Sequence, residues 1–373
     1  TEVENIYKNL KFETYTDYKL SNELKFYNQT KYRKEYYGYE DMNLSLNFNF
    51  YDSFSDNIAT QDSFKIKNVS NRIGIKGNSK LFNYDIYGNF GYFKYHVNAL
   101  ENSFSEIYVG GLLKYKNPSF DVVSNFEIKK SSDYRLKVDL KSKIFEASYL
   151  SALYEPKIFE RIYLGNHYSW ENNFNSSFVN NLNAKINLEN RFITFSPSIN
   201  FYTIKDHIYF VGDNHLQADQ VITFNQFIVD LKLKLLNNKI NFDNKFTYNL
   251  SSNSANGILN FPKQTLYSKL YYNGIWFNNT IPVQLGSIIS YRSEFYGDAY
   301  DPITQNFYVQ NEFMLERYLR FDLFFTMQVN NLRIFLKMNH FNQFDSFDGY
   351  FVTPYYPAQK KVLDLGVRWY FFN

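Results

Sequence analysis

The last twelve residues of the chain, Val362 to Asn373, alternate with a period of two. Leu363, Leu365, Val367, Trp369 and Phe371 fall on one face, and Asp364, Gly366, Arg368, Tyr370 and Phe372 on the other. Such alternation marks a strand with one apolar and one polar side. An apolar outer face, a charged inner face and a terminal aromatic cluster are what lipid, a wet lumen and a membrane interface would each demand of a barrel strand. A terminal strand of a soluble sandwich shows the same local pattern, so the rest of the chain has to decide.

The same alternation returns along the whole sequence. It is clear at 42–50, where Met42, Leu44, Leu46, Phe48 and Phe50 alternate with Asn and Ser. It continues through Val69, Ile73 and Ile75, through Tyr84 to Tyr92, and through Ile107 to Tyr115. Further runs follow at 120–128, 134–140, 145–149, 182–188, 195–201, 227–235, 240–250, 265–279, 284–293, 319–327 and 332–338. Residues 1–35 hold only short alternating pieces and read either as early strands or as a periplasmic lead-in. Sandwich strands are usually about 5–6 residues long. These runs are nearer ten, the length that crosses a bilayer at a barrel tilt.

The connections are unequal. Short turns such as Asn237-Asn238 contrast with polar stretches at 51–62, 204–219, 251–264, 294–305 and 342–361. Short turns at one end and long loops at the other are expected of an outer-membrane barrel. At roughly 20 residues per strand and connection, the expectation is one all-β domain over 1–373, a transmembrane antiparallel up-and-down β-barrel of about 16 strands (14–18), even in number. One conflict remains: if turns simply alternate, the 294–305 and 342–361 loops fall at opposite ends, which places a strand near 305–320 in question.

Composition agrees with a membrane wall. Aromatic residues make up 21% of the chain, led by 39 Phe and 35 Tyr. Tyr is amphipathic and suits a membrane–water boundary. No run approaches the ~20 apolar residues that a spanning helix needs. Cysteine is absent and the net charge is +3, too small to argue for a nucleic-acid partner. The opening at Thr1 reads as a mature or trimmed form whose export signal has been removed.

Within the last ninety residues the run Tyr291-Arg292-Ser293-Glu294-Phe295-Tyr296-Gly297-Asp298-Ala299-Tyr300-Asp301-Pro302 is followed by Asn306-Phe307-Tyr308-Val309-Gln310. Gly349-Tyr350-Phe351-Val352-Thr353-Pro354-Tyr355-Tyr356-Pro357 and Leu365–Phe372 come later. In order and spacing these resemble the C-terminal part of the putative porins of Bacteroidetes outer membranes. The resemblance covers about 285–373; upstream the alternation is generic. It implies a porin-type barrel and brings neither a substrate nor catalytic residues.

Function is then expected in the lumen. The non-lipid faces carry Arg135, Lys137, Lys232, Lys234, Lys245, Arg320, Arg333, Lys337 and Arg368, with Asp139, Asp230, Asp243, Asp322 and Asp364 among them. Rings of charge tune ion passage, and the cationic excess predicts a mild anion preference. The alternative is that these charges pair across neighbouring strands and only keep the wall hydrated, with Asp364 meeting Lys337 or Arg333. The Gly297–Pro302 loop is the candidate constriction, with Arg292, Asp298, Tyr300 and Asp301 at an opening, as against a plain structural loop. Tyr350–Pro357 suits a rigid surface loop. Trp369, Tyr370, Phe371 and Phe372 form the expected signal for the barrel-insertion machinery, a role compatible with an aromatic girdle.

Catalysis lacks material. His96, His167, His207, His215 and His340 show no metal-ligand spacing, and neither GxSxG nor a glycine-rich phosphate loop occurs. The expectation is no enzyme, no cofactor and no metal. The reading is a Gram-negative outer-membrane channel for small polar solutes, in contact with membrane lipid and lipopolysaccharide. A non-conducting scaffold or receptor barrel is the first alternative, and the barrel of an active transporter lacking its plug the second. Phe324 and Phe335, inward in this register, would narrow a pore.

Overall fold

The computed structural model describes residues 3–44, 51, 55–56, 58–98, 100–131, 133–344 and 349–371. Seventeen strands follow one another as an antiparallel meander: β1 (Val3–Lys19), β2 (Leu24–Asp41), β3 (Thr60–Asn78), β4 (Phe82–Val97), β5 (Leu100–Lys116), β6 (Phe120–Lys129), β7 (Tyr134–Ser142), β8 (Phe145–Tyr154), β9 (Ser177–Ile186), β10 (Ile193–Lys205), β11 (Ile222–Leu235), β12 (Ile240–Ser251), β13 (Gln264–Trp276), β14 (Ile281–Arg292), β15 (Tyr318–Val329), β16 (Leu332–Asn339) and β17 (Val362–Trp369). Leu188–Glu189, which continues β9, is the eighteenth strand of the sheet. Among the described residues no helix is long and apolar enough to cross a membrane.

Residues 3–35 are therefore wall strands: β1 and β2 pair without a break from Val3↔Asp41 to Lys19↔Lys25. Of the 42–50 run, Met42 to Leu44 lie beyond the end of β2, where Asp41 accepts the backbone N–H of Asn43 at 2.9 Å; residues 45–50 lie outside the described residues. β2 to β5 are 16 to 19 residues long, well beyond the ten expected from the alternation.

One end of the sheet consists of tight turns. Leu236, Asn237 and Asn238 take φ of 50°, 55° and 67°, and Phe277, Asn278 and Asn279 take 52°, 54° and 61°. Asn tolerates this left-handed region better than most residues, which explains the Asn-rich turns. The opposite end carries the long connections: 42–59, 155–176, 206–221, 252–263, 293–317 and 340–361. The anticipated clash between the 294–305 and 342–361 loops disappears. No wall strand lies at 305–317; that stretch holds only Asn306–Tyr308 and Met314–Leu315, paired within the loop to Ala299–Asp301 and Phe295–Tyr296. Both loops thus emerge at the same end, separated by the single β15–β16 turn at Asn330-Asn331.

The two faces of the sheet differ as the alternation requires. The convex face exposes its apolar side chains: Ile73 is 48% exposed, Val109 53%, Leu365 72% and Phe371 73%. A patch so large and contiguous exceeds what soluble monomers show to water and matches a wall against lipid. The concave face is polar and aromatic. Its glycines seat rings from the neighbouring strand. Tyr87 lies over Gly110, where a β-carbon would come within 2.6 Å of the ring, and Phe335 lies over Gly366, where an added β-carbon would run into its ring. Phe335 does face inward, but its ring is flattened onto the wall.

Candidate functional site: a charged wall beneath a lid of packed loops

Charges on the concave wall pair across strands, with tyrosines between them. The Arg72 guanidinium on β3 lies 3.8 Å from the Tyr87 ring centre and 3.8 Å from Glu127 on β6, while Tyr87 donates its hydroxyl to Glu127 at 2.7 Å. On the next rung Tyr27 donates to Asp85 at 2.7 Å, with Lys76 3.7 Å from the same carboxylate. Partly exposed pairs of this kind contribute about 0–1 kcal/mol each, so they order the side chains more than they stabilise the fold.

The expected lining residues divide into paired and unpaired groups. Lys137 binds Asp139 at 2.9 Å, and Asp322, fully buried, holds Arg320 at 3.3 Å and Lys337 at 3.4 Å. Lys337 stands opposite Asp364 in register, yet Asp364 instead accepts from the Asn339 amide. Arg135 faces Glu127, Lys232 faces Asp243 and Lys245 faces Asp230 across their ladders, with Lys234 opposite Asn241. Among the described residues none of these four cations comes within 4.0 Å of a carboxylate, and the same holds for Arg333 and Arg368. Lys269 reaches 4.6 Å from the ring centre of Phe324, which confirms that Phe324 points inward.

The C-terminal aromatics sit at the turn end. Trp369 and Phe371 stack at 5.1 Å on the convex side and are 63% and 73% exposed. Tyr370 donates its backbone N–H to Asn331 at 2.9 Å. Phe372 lies outside the described residues.

At the loop end the long connections pack into a lid. The hairpin Ala299–Asp301/Asn306–Tyr308 crosses the concave side: Gln305 Nε2 donates to the carbonyl of Gly38 on β2 at 2.9 Å. Ile303 at its tip is buried against Tyr39, Leu44 and Tyr51. Loops from strands so far apart in the meander can meet only because the sheet curls. The hairpin turn is held by Asp301, which accepts the N–H of Ile303 at 3.2 Å, the N–H of Thr304 at 3.0 Å and the Thr304 hydroxyl. Burial raises the Asp301 carboxyl above its ordinary value, and the same cause raises Asp298. Arg292, at the end of β14, donates to the carbonyl of Phe351 at 2.6 Å, and Tyr300 meets Tyr356 edge-on at 5.9 Å. Arg292, Tyr300 and the Asp298 carbonyl, which accepts from the Thr353 hydroxyl, hold this loop to the 340–361 loop, whereas Asp301 is buried and braces the turn of its own hairpin, not displayed at an opening.

The second component, residues 155–176, escaped the strand reading of the sequence. It folds as a one-turn helix α1 (Ile158–Arg161) followed by the small ladder Ile162–Leu164/Ser169–Glu171. Its tip is fixed to β3. Asn166 donates its side-chain amide to Thr60 Oγ1 at 2.8 Å and its backbone N–H to Asp62 at 2.9 Å. His167 Nε2 lies 2.7 Å from Thr60 Oγ1, and its ring stacks on Tyr51 at 4.0 Å. Tyr163 and Trp170 stack at 4.7 Å, and together with Val97 and Phe210 form a buried core inside the lid. Phe210 comes from the third component, the hairpin Ile208–Val211/Asn214–Gln217, and accepts the N–H of Val309 at 2.7 Å. The signal that could have revealed 155–176 is negative: Pro156 and Gly165 interrupt a stretch without period-two alternation.

Between lid and wall lies a cavity of about 350 Å³, walled by β2 and β3 on one side and by the 155–176 and 299–308 segments on the other. Among the described residues no cluster of His, Asp and Glu is arranged to hold a metal ion.

The same architecture is found in solved structures. The chain is similar to the copper transporter OprC (TM-score 0.68, 11% identity, 94% of this chain and 61% of that one). It is also similar to the FrpB iron transporter from Neisseria meningitidis (0.67, 10%, 98% and 64%). A third is the siderophore receptor PirA from Acinetobacter baumannii (0.67, 10%, 98% and 62%). The chain thus spans less than two thirds of the length of each, and at such identities the likeness is one of fold. No curated protein matches the sequence. The family model described as "Putative porin" matches residues 2–373. The chain, with its apolar convex wall and polar concave one, belongs to the putative porin family of the Gram-negative outer membrane.

Proposed function

We propose that this protein is an outer-membrane channel for small polar solutes whose entrance is covered by the packed lid. The observation that carries the reading is the 299–308 hairpin, which crosses the concave side to bond Gly38 and so sits in the way of anything entering from the loop end. No covalent chemistry is required. A hydrated, charge-lined wall passes the solute, and displacement of the lid admits it. Arg333, Arg368, Lys232, Lys234 and Lys245, which have no carboxylate within 4.0 Å among the described residues, support a mild anion preference on the wall.

The wall is read as a closed transmembrane barrel. In hydrocarbon each unpaired backbone group costs several kcal/mol, so an open edge is not tolerated there. Among the described residues β1 has a ladder only to β2 and β17 only to β16. With seventeen antiparallel strands, β1 and β17 run in the same direction. A seam made directly between them would be parallel, whereas a wholly antiparallel ring takes an odd number of further strands. Lipopolysaccharide around the loop end and insertion machinery recognising Trp369 to Phe372 complete this reading.

Planar-bilayer recording tests it. The expected result is small or infrequent current from the intact protein and stepwise, larger conductance once residues 299–308 are replaced by a short Gly-Ser link. A folded, heat-resistant protein that stays silent in both forms favours the second reading, a non-conducting receptor or scaffold, which the same lid supports.

A further inference from the structure

We infer that the cavity beneath the lid is a binding site for an uncharged, polyhydroxylated ring of monosaccharide to disaccharide size. The inference rests on the channel-or-receptor reading above and names its ligand. At about 350 Å³ the cavity is within the size range of small-molecule sites, roughly 300–1,000 Å³. Its walls combine aromatic surface from Tyr37, Phe64, Phe159 and Tyr163 with amides and hydroxyls at the hairpin tip.

Charge decides against an ionic ligand. Glu35 is held by Arg33, and Glu160 by Lys157 at 3.6 Å and by the Lys157 backbone N–H at 2.8 Å. Asp62 is satisfied by the Asn166 N–H at 2.9 Å and the Asn98 amide at 3.0 Å. Every carboxylate at the cavity already has its donors, Glu35 and Glu160 from cations and Asp62 from neutral amides, so none of them calls for an ionic ligand.

One polar group is left over. His215 is 7% exposed, lines the cavity, and its Nδ1 has no hydrogen-bond partner among the described residues. Its ring is enclosed by Phe210 at 4.8 Å, Trp170 at 5.1 Å and Phe159 at 5.7 Å. An unsatisfied buried nitrogen costs about 1–3 kcal/mol. A ligand hydroxyl can donate to it or accept from it whichever tautomer is present; an ammonium can only donate and a carboxylate can only accept. Aromatic faces suit the apolar flank of a sugar ring.

The test uses the refolded full chain in detergent with Trp276 and Trp369 changed to Phe, so that Trp170 is the remaining reporter. Glucose and maltose are the probes, with choline and gluconate as charged counterparts. Saturable fluorescence change with one of the sugars alone, weakened about tenfold or more in both His215→Leu and Asn306→Leu, is the expected result. Absence of saturation with both sugars overturns the inference, as does equal response to choline or gluconate, or sugar binding unaltered in both variants. Because the readout is binding and not current, a silent channel that still binds sugar overturns conduction alone.

Discussion

Arg333 and Arg368 stand directly opposite each other across the β16–β17 ladder, two cations on the concave face near the turn end. Like charges so placed destabilise a sheet by roughly 0.2–1 kcal/mol. Arg368→Gln is therefore expected to raise the unfolding midpoint slightly. In a salt gradient it should also shift the reversal potential away from anions, and Arg368→Glu should shift it further. An unchanged potential in both variants would remove these residues from the conducting path.

Asp322 is the single carboxylate shared by Arg320 and Lys337, and its other oxygen accepts the His340 N–H at 2.9 Å. Asp322→Asn leaves two half-exposed cations without their partner. The expected cost is about 1.5–3 kcal/mol, measured by urea unfolding followed on gels. Adding Lys337→Met should recover part of it, and strict additivity in that double-mutant cycle would mean that the two residues do not interact.

Lid closure should depend on pH through His215. Burial among rings lowers its pKa from 6.5 to about 4, so the packed lid favours the neutral ring. The stabilisation is complete above the free value of 6.5 and is lost as pH falls toward 4. Asp301, raised by burial, acts in the opposite sense, since its protonation on acidification relieves a buried charge. Trp170 fluorescence is expected to change between these limits, and His215→Leu should abolish that limb while Asp301→Asn leaves it in place. A limb unaltered in His215→Leu would assign it elsewhere.

Gly110→Val would place side-chain atoms where the Tyr87 ring now lies, displacing it from Glu127 and from the Arg72 guanidinium. Forcing extra atoms into a packed contact costs about 1–3 kcal/mol. The same change at Gly88, where nothing lies within 4 Å of the added β-carbon, should be tolerated in a parallel thermal-shift comparison.

The wall was legible in the sequence and the lid was not. Period-two alternation reports burial on one face and solvent or lipid on the other, so it located strands such as β11 and β17 from their own residues. The lid depends on contacts without a local signature. Nothing near Gln305 announces Gly38, and nothing near Asn166 announces Thr60. Loop parity alone put a strand near 305–320 in question, and that stretch holds only short pieces paired within the loop, Asn306–Tyr308 and Met314–Leu315. Phe335 shows the limit at a single side chain: parity gave its face, but only the position of Gly366 says where its ring lies. Asp301 stood among the expected loop residues, yet its buried turn-holding geometry follows from Ile303 packing on β2.

The Gln305–Gly38 bond joins residues 267 apart in sequence. Closing so long a loop carries an entropic cost that only an assembled wall can offset, and contacts of high sequence separation form late in folding. During refolding, docking of the 299–308 hairpin onto Gly38 should therefore lag behind formation of the sheet's own hairpins. A loop from one end of the meander would then act as a seal on strands near the other, and its formation would report that everything between them has been threaded in the right register.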